Sequence, residues 1–224
     1  MIKGVIFDFN GTLFKDTDLQ EKAWQHLFWE IHHRDIGPTE YRDHFHGRVN
    51  DVILDYFLPP EMNYPDRETI PLKKEIIYRQ IVRENPQLIR FVPGVVETLD
   101  TLTRQGIPFT IATASEITNV RFYFETFPLE RWFNGVDSIV YDDGTFPGKP
   151  APDIFLKAAE KLHLSPADCI VVEDSLSGIT AAKNAGIGRI IAMDPDLNRA
   201  QIEADPQVFA VIDNFENFYD RYVL

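Results

Sequence analysis

The sequence predicts an α/β fold, a doubly wound parallel sheet interrupted early by an all-helical insertion. Three observations carry this. Short apolar, β-branched runs recur at Gly4 to Phe9, Phe109 to Ala114, Ser138 to Tyr141, Cys169 to Val172, Arg189 to Met193 and Ala210 to Ile212. Most are apolar on both faces, as parallel strands covered by helices require. Helical stretches alternate with them, at Val95 to Arg104, Asp153 to Leu162 and Leu176 to Ala185, which is the βαβ rhythm of a Rossmann-like core. About 100 residues then separate the first strand from the second, several times what one crossover helix needs.

Within that gap the periodicity is helical throughout: Leu19 to His33 with Trp24, Leu27, Phe28 and Ile31, then Thr39 to Phe57, then Arg67 to Arg83 after Pro65. The expected division is therefore a Rossmann-like core of residues 1–15 and 91–224 and a helical cap domain of residues 16–90. Between Lys15 and Arg90 lie 11 of the 22 basic residues against 14 acids, a net −3 out of −13 for the whole chain. The insertion is thus the less repulsive part to offer an anion.

Composition narrows the function classes. With 44% hydrophobic residues and 17 Phe, the chain can build a packed core and is not a disordered tail. A formal charge of −13 repels a phosphate backbone over most of the surface and argues against nucleic acid as a partner. No apolar run approaches the roughly 18 residues a membrane span needs, and Asp8 arrives too early for a signal peptide. Cys169 is the one cysteine, so no internal disulfide forms. These features set the expectation of a cytoplasmic protein, a monomer or weak homodimer, with no membrane or nucleic-acid partner.

Chemistry concentrates at strand ends, where open α/β sheets bind ligands. Val5-Ile6-Phe7-Asp8-Phe9-Asn10-Gly11-Thr12 is a hydrophobic strand ending in a carboxylate and a Gly-containing turn. Asp8 can there serve as metal ligand and as nucleophile toward phosphorus. Ile170-Val171-Val172-Glu173-Asp174-Ser175 repeats the arrangement with two adjacent acids. Three acids at one sheet edge repel one another, and a hard divalent cation with oxygen ligands, Mg²⁺ when a phosphate completes its shell, resolves this. Between them, Thr113-Ala114-Ser115 offers a hydroxyl and free amides, and Gly148-Lys149-Pro150 offers a point charge, both suited to phosphoryl oxygens.

In order and spacing, Asp8-Phe9-Asn10-Gly11-Thr12, Thr113-Ala114-Ser115, Gly148-Lys149-Pro150 and Glu173-Asp174-Ser175-Leu176-Ser177-Gly178 resemble the haloacid dehalogenase superfamily, in its branch of β-phosphoglucomutase-like proteins and phosphatases with a small helical cap. The likeness spans essentially the whole chain. It implies a Mg²⁺-dependent phosphohydrolase of small phosphorylated metabolites that works through an aspartyl-phosphate on Asp8. It further implies that Thr113 and Lys149 hold phosphoryl oxygens, with Gly11, Thr12, Ala114 and Ser115 nearby. Mg²⁺ would sit on Asp8, Asp174 and the main-chain carbonyl of Asn10, supported by Glu173, and the insertion would close over the site.

Position 10 departs from that pattern. Members that hydrolyse or transfer phosphate usually carry a second aspartate there as general acid and base, and this chain has Asn10. A carboxamide keeps the backbone carbonyl and donates hydrogen bonds but moves no proton at neutral pH. Three explanations stand side by side: an engineered substitution, a natural feature with a water or cap residue standing in, or a protein that binds phosphate esters with little turnover. In the insertion, Arg48 within Phe45-His46-Gly47-Arg48-Val49-Asn50-Asp51, and Lys74, fall where related caps contact substrate. Gln20 stands where sugar-phosphate mutases of this type carry a hinge histidine, so with Asn10 the resemblance favours hydrolysis over mutase chemistry. Cys169 within an apolar strand reads as an inert buried thiol, the His pairs match no zinc spacing, and Phe122 to Phe133 reads as aromatic core packing.

Overall fold

The computed structural model describes residues 2–45, 50–58, 64, 67–193 and 199–224. In chain order its elements are β1 (Gly4–Phe7), α1 (Thr17–His32), α2 (Pro38–His44), α3 (Asn50–Phe57), α4 (Ile70–Glu84), α5 (Val95–Gln105), β2 (Phe109–Glu116) and α6 (Ile117–Thr126). Then follow β3 (Val140–Asp142), α7 (Asp153–Lys161), β4 (Cys169–Glu173), α8 (Leu176–Asn184), β5 (Arg189–Met193), α9 (Arg199–Glu203) and β6 (Val208–Ile212). They fall into two compact units, Met1–Lys15 with Arg90–Leu224, and Asp16–Ile89.

The first unit is built on one six-stranded sheet in the order β3-β2-β1-β4-β5-β6. Every pairing is parallel, with Val5 of the central strand opposite Phe109 on one side and Ile170 on the other. Because side chains alternate across a strand, Ile6, Ala112, Val171 and Ile190 share one face and pack with Ile154, Phe155 and Ala158 of α7 and Ile179 and Ala182 of α8. The neighbouring Phe7 makes ring contacts with Phe215 and Phe218, centroids 5.8 and 6.1 Å apart. Both faces of the sheet are thus covered, which is why its strands read as continuous apolar runs.

Several element limits differ from the sequence reading, three of them as follows. The first strand stops at Phe7 because the Phe9 carbonyl accepts the amides of Thr12, Leu13 and Phe14 and closes a turn. Ser138 does not open the third strand, since its amide and hydroxyl both bond the Gly135 carbonyl in a short 3₁₀ turn. The helical pattern read over Thr39 to Phe57 is divided into α2 and α3, and residues 46–49 lie outside the described residues.

The second unit packs α1 against α4 over its own core of Trp24, Leu27, Phe28, Phe45, Ile53, Phe57 and Ile70. Phe28 meets Phe45 and Phe57 edge-on, at 5.9 and 5.2 Å. The turn into α2 is fixed by polar clamps. Gln25 bonds both the amide and the carbonyl of Ile36 at 2.9 and 2.8 Å. Glu40 accepts from the Gly37 amide, from both Arg34 nitrogens and from Tyr56, so its carboxyl is held down at about 2, chiefly by Arg34. Buried Asp16 accepts from Gln20 at 2.8 Å and from Tyr78 at 2.6 Å. Among the described residues, no helix is long and apolar enough to cross a membrane.

Candidate active site

The strand order reverses between β1 and β4, and doubly wound sheets bind ligands beyond the carboxyl ends of the strands at that switch point. The pairing runs one residue past β1, since the Asp8 amide donates to the Val172 carbonyl at 3.0 Å. This continuation sets Asp8 beside Glu173 and Asp174. One carboxylate oxygen from each of the three lies within 4.8 Å of the other two.

Lys149 enters the cluster from the Gly148–Ala151 turn, which is closed by the Ala151 amide on the Gly148 carbonyl and tied to α8 by Asn184 donating to the Pro150 carbonyl. Its ammonium donates to Asp8 Oδ1 at 2.8 Å and to Glu173 Oε2 at 3.2 Å, and lies 5.2 Å from the Phe155 ring centroid. Burial works against the charge on Lys149, yet the two carboxylates outweigh it and raise its pKa. Burial, then repulsion from Glu173 and Asp8, drives the Asp174 carboxyl well above the usual range, with Lys149 offsetting part of this. With all three acids ionised, the site carries two negative charges more than Lys149 neutralises, and a divalent cation with oxygen ligands matches both the charge and the donor set.

Two glycines make the close packing possible. Gly11 sits at φ +76°, and a Cβ there would lie 1.9 Å from Asp174 Oδ2. In α8, a Cβ on Gly178 would fall 1.7 Å from Glu173 Oε1. Ser175 caps that helix by accepting from the Gly178 amide at 3.0 Å and donates to Glu173 Oε1 at 2.5 Å, so one hydroxyl starts the helix and orients the acid. Gly11→Ala is expected to cost about 1–3 kcal/mol of stability through the left-handed backbone alone and to push the Asp174 carboxylate aside. Thermal melts and a Mg²⁺ titration should record both losses; unchanged Mg²⁺ affinity would separate Asp174 from the cation.

The remaining residues are placed as follows. Thr12 is fully buried and its hydroxyl faces Asp174 Oδ1 at 3.4 Å. Thr113 is buried within β2, three residues before its end, its hydroxyl accepting the Ser115 amide at 3.2 Å, while Ala114 next to it is exposed. Asn10 Oδ1 accepts from Ser115 Oγ at 3.0 Å and from Tyr123 at 2.9 Å. Lys74 belongs to the helical unit, where it is buried, donates to Gln20 and to Glu75, and lies over the Trp24 and Tyr78 rings. Arg48 lies outside the described residues.

A family model described as haloacid dehalogenase-like hydrolase matches residues 2–186. The chain belongs to this family. Among similar haloacid dehalogenase-like proteins, the "Phosphorylated carbohydrates phosphatase" of Thermotoga maritima is 30% identical over 206 residues, covering 91% of both chains. The Drosophila melanogaster protein named "Probable pseudouridine-5'-phosphatase" is 36% identical over 223 residues, 94% of this chain and 90% of its own. A crystal structure of a family IA, variant 3 hydrolase from Entamoeba histolytica superposes with a TM-score of 0.88 at 34% identity, covering 96% of this chain and 95% of that one.

Sequence reasoning named only part of what one residue of this haloacid dehalogenase-like hydrolase does. Tyr123 reads as aromatic packing and does pack, but it also contacts Asn10, 113 positions earlier. The sole signal is a hydroxyl within the run Phe122-Tyr123-Phe124.

Proposed function

We propose that this haloacid dehalogenase-like hydrolase is a Mg²⁺-dependent phosphatase of small phosphorylated metabolites, with Asp8 as its nucleophile. The convergence of Asp8, Glu173, Asp174 and Lys149 at the carboxyl ends of two paired strands carries this reading. Relatives named as phosphatases support it.

Asp8, Asp174 and the Asn10 main-chain carbonyl would hold Mg²⁺, with Glu173 in support. When bound, the ion would neutralise charge on the phosphoryl oxygens. An Asp8 carboxylate oxygen attacks phosphorus, the phosphorus–oxygen ester bond breaks, and the leaving alkoxide or phenoxide takes the electron pair. Lys149 and Thr113 hold the non-bridging oxygens, where negative charge accumulates. Water then attacks phosphorus, the acyl-phosphate bond breaks, and the Asp8 carboxylate and inorganic phosphate are released.

The test is hydrolysis of an aryl phosphate by the whole protein, with Mg²⁺ and with EDTA, in wild type and in Asp8→Asn. Loss of the nucleophile should lower turnover by about 10³-fold or more, and chelation should reduce it to background. Wild-type protein that binds phosphate esters without any Mg²⁺-dependent release of phosphate would favour the second reading, a phosphate-ester-binding protein, to which the Asn10 carboxamide points.

A further inference from the structure

Phe127 reads from the sequence as core packing, yet its ring joins segments that are far apart in the chain. It meets Phe9 edge-on at 5.5 Å, Phe14 at 4.8 Å and Phe91 at 4.9 Å, separations at which aromatic pairs attract beyond their buried area. Phe9 and Phe14 are the two ends of the turn that follows Asp8, and their own rings lie 6.3 Å apart. Phe14 and Phe91 stand just inside the two points, after Lys15 and before Arg90, where the chain passes from one compact unit to the other. An antiparallel bridge pairs them, and the Val92 amide donates to the Leu13 carbonyl at 2.9 Å. Phe9, Phe14 and Phe127 are all buried.

The turn needs such support because its backbone alone holds it weakly. The amides of Thr12, Leu13 and Phe14 share the one Phe9 carbonyl, which has two lone pairs. Gly11 lies at φ +76°, and glycine has more conformational freedom to lose than any other residue. Yet the place of this turn matters to the acids. Gly11 packs so closely on the Asp174 carboxylate that a Cβ would overlap it, and the Thr12 hydroxyl faces Asp174 Oδ1 at 3.4 Å. Tyr123 stacks on Phe9 at 4.3 Å, and Phe127 adds a hold on the far end of the turn and on the returning chain.

We propose that Phe127 is a positioning residue of the cation site. Its ring pins the turn after Asp8 to both chain crossings, and thereby sets how closely Gly11 and Thr12 approach Asp174 and how tightly Mg²⁺ is held. The inference rests on the reading of Asp8, Glu173 and Asp174 as the Mg²⁺ site, and it adds an aromatic ring to the support of that site.

The experiment measures the Mg²⁺ affinity of the whole protein by calorimetric titration, which needs no turnover, in the wild type, Phe127→Leu and Phe133→Leu. Phe133 is the buried control, its ring meeting Phe109 of β2 at 5.6 Å. Both substitutions remove the same atoms from the core, and thermal melts should show comparable destabilisation. Phe127→Leu should weaken Mg²⁺ binding about tenfold, the lower end of what supporting residues of a metal site cost, and Phe133→Leu should leave it within about twofold. With an aryl phosphate, the Mg²⁺ concentration for half-maximal turnover should rise by the same factor in Phe127→Leu, while KM for the ester stays within about twofold. Phe14→Leu, which removes one partner ring and spares Phe127, should also weaken Mg²⁺ binding, and it decides the question if Phe127→Leu does not fold. Mg²⁺ affinity in either variant equal to that of Phe133→Leu would overturn the proposal and leave the Mg²⁺ site standing. A wild type that binds no Mg²⁺ would instead remove the site itself, and the proposal with it.

Discussion

Asn10→Asp raises the turnover of an alkyl phosphate by at least about tenfold, a margin below the 10²–10⁴ that general acid–base help commonly supplies. The Asn10 carboxamide sits between Ser115 and Tyr123, and a carboxyl of the same shape fits that site with the same two hydroxyl donors. What changes is the proton inventory. The leaving alkoxide, which otherwise departs unprotonated or draws on water, then has an adjacent acid, and the attacking water has an adjacent base. The gain should be smaller for aryl phosphates, whose leaving oxygen needs less help. Steady-state kinetics on an alkyl and aryl pair measure both, and equal alkyl rates in the two proteins would mean that protons do not move at position 10.

Lys149→Met has the largest expected effect on stability. Lys149 is 7% exposed and its ammonium touches two carboxylates. Methionine of similar length leaves Asp8, Glu173 and Asp174 facing one another with no compensating charge. Breaking a buried pair by removing one partner typically costs about 3–5 kcal/mol, and the metal-free protein should lose that order of stability. Mg²⁺ should restore part of it, because an ion that binds the folded state alone stabilises it by mass action. The shift in melting temperature between EDTA and millimolar Mg²⁺ should therefore be larger in the variant than in the wild type. Equal shifts would show that Lys149 and the cation do not answer the same charges.

The parallel sheet was legible because its strands are buried on both faces and carry unbroken apolar runs. Asp8 and the pair Glu173-Asp174 were legible because each directly follows such a run, and a parallel sheet brings all its carboxyl ends to one edge. Lys149 was legible as a lysine held between turn residues, though not as the counter-charge to two acids, since nothing in Gly148-Lys149-Pro150 names its distant partners. Tyr123 was not legible as a contact of position 10. Hydrophobic periodicity says which side chains are inside but not where a hydroxyl on a buried ring points, and α6 had to be docked before that bond existed.

The order of the strands also bears on how the chain acquires its activity during synthesis. Asp8 is made 141 positions before Lys149, its ion-pair partner, and β4 follows later still. Until β4 docks against β1, the aspartate has neither its ammonium nor its companion acids. Such distant pairings form slowly, because the intervening loop must be closed before any contact rewards it. A nascent chain ending before residue 169 would carry Asp8 without Glu173 and Asp174, so the acidic cluster is completed only once β4 and the residue after it have been made.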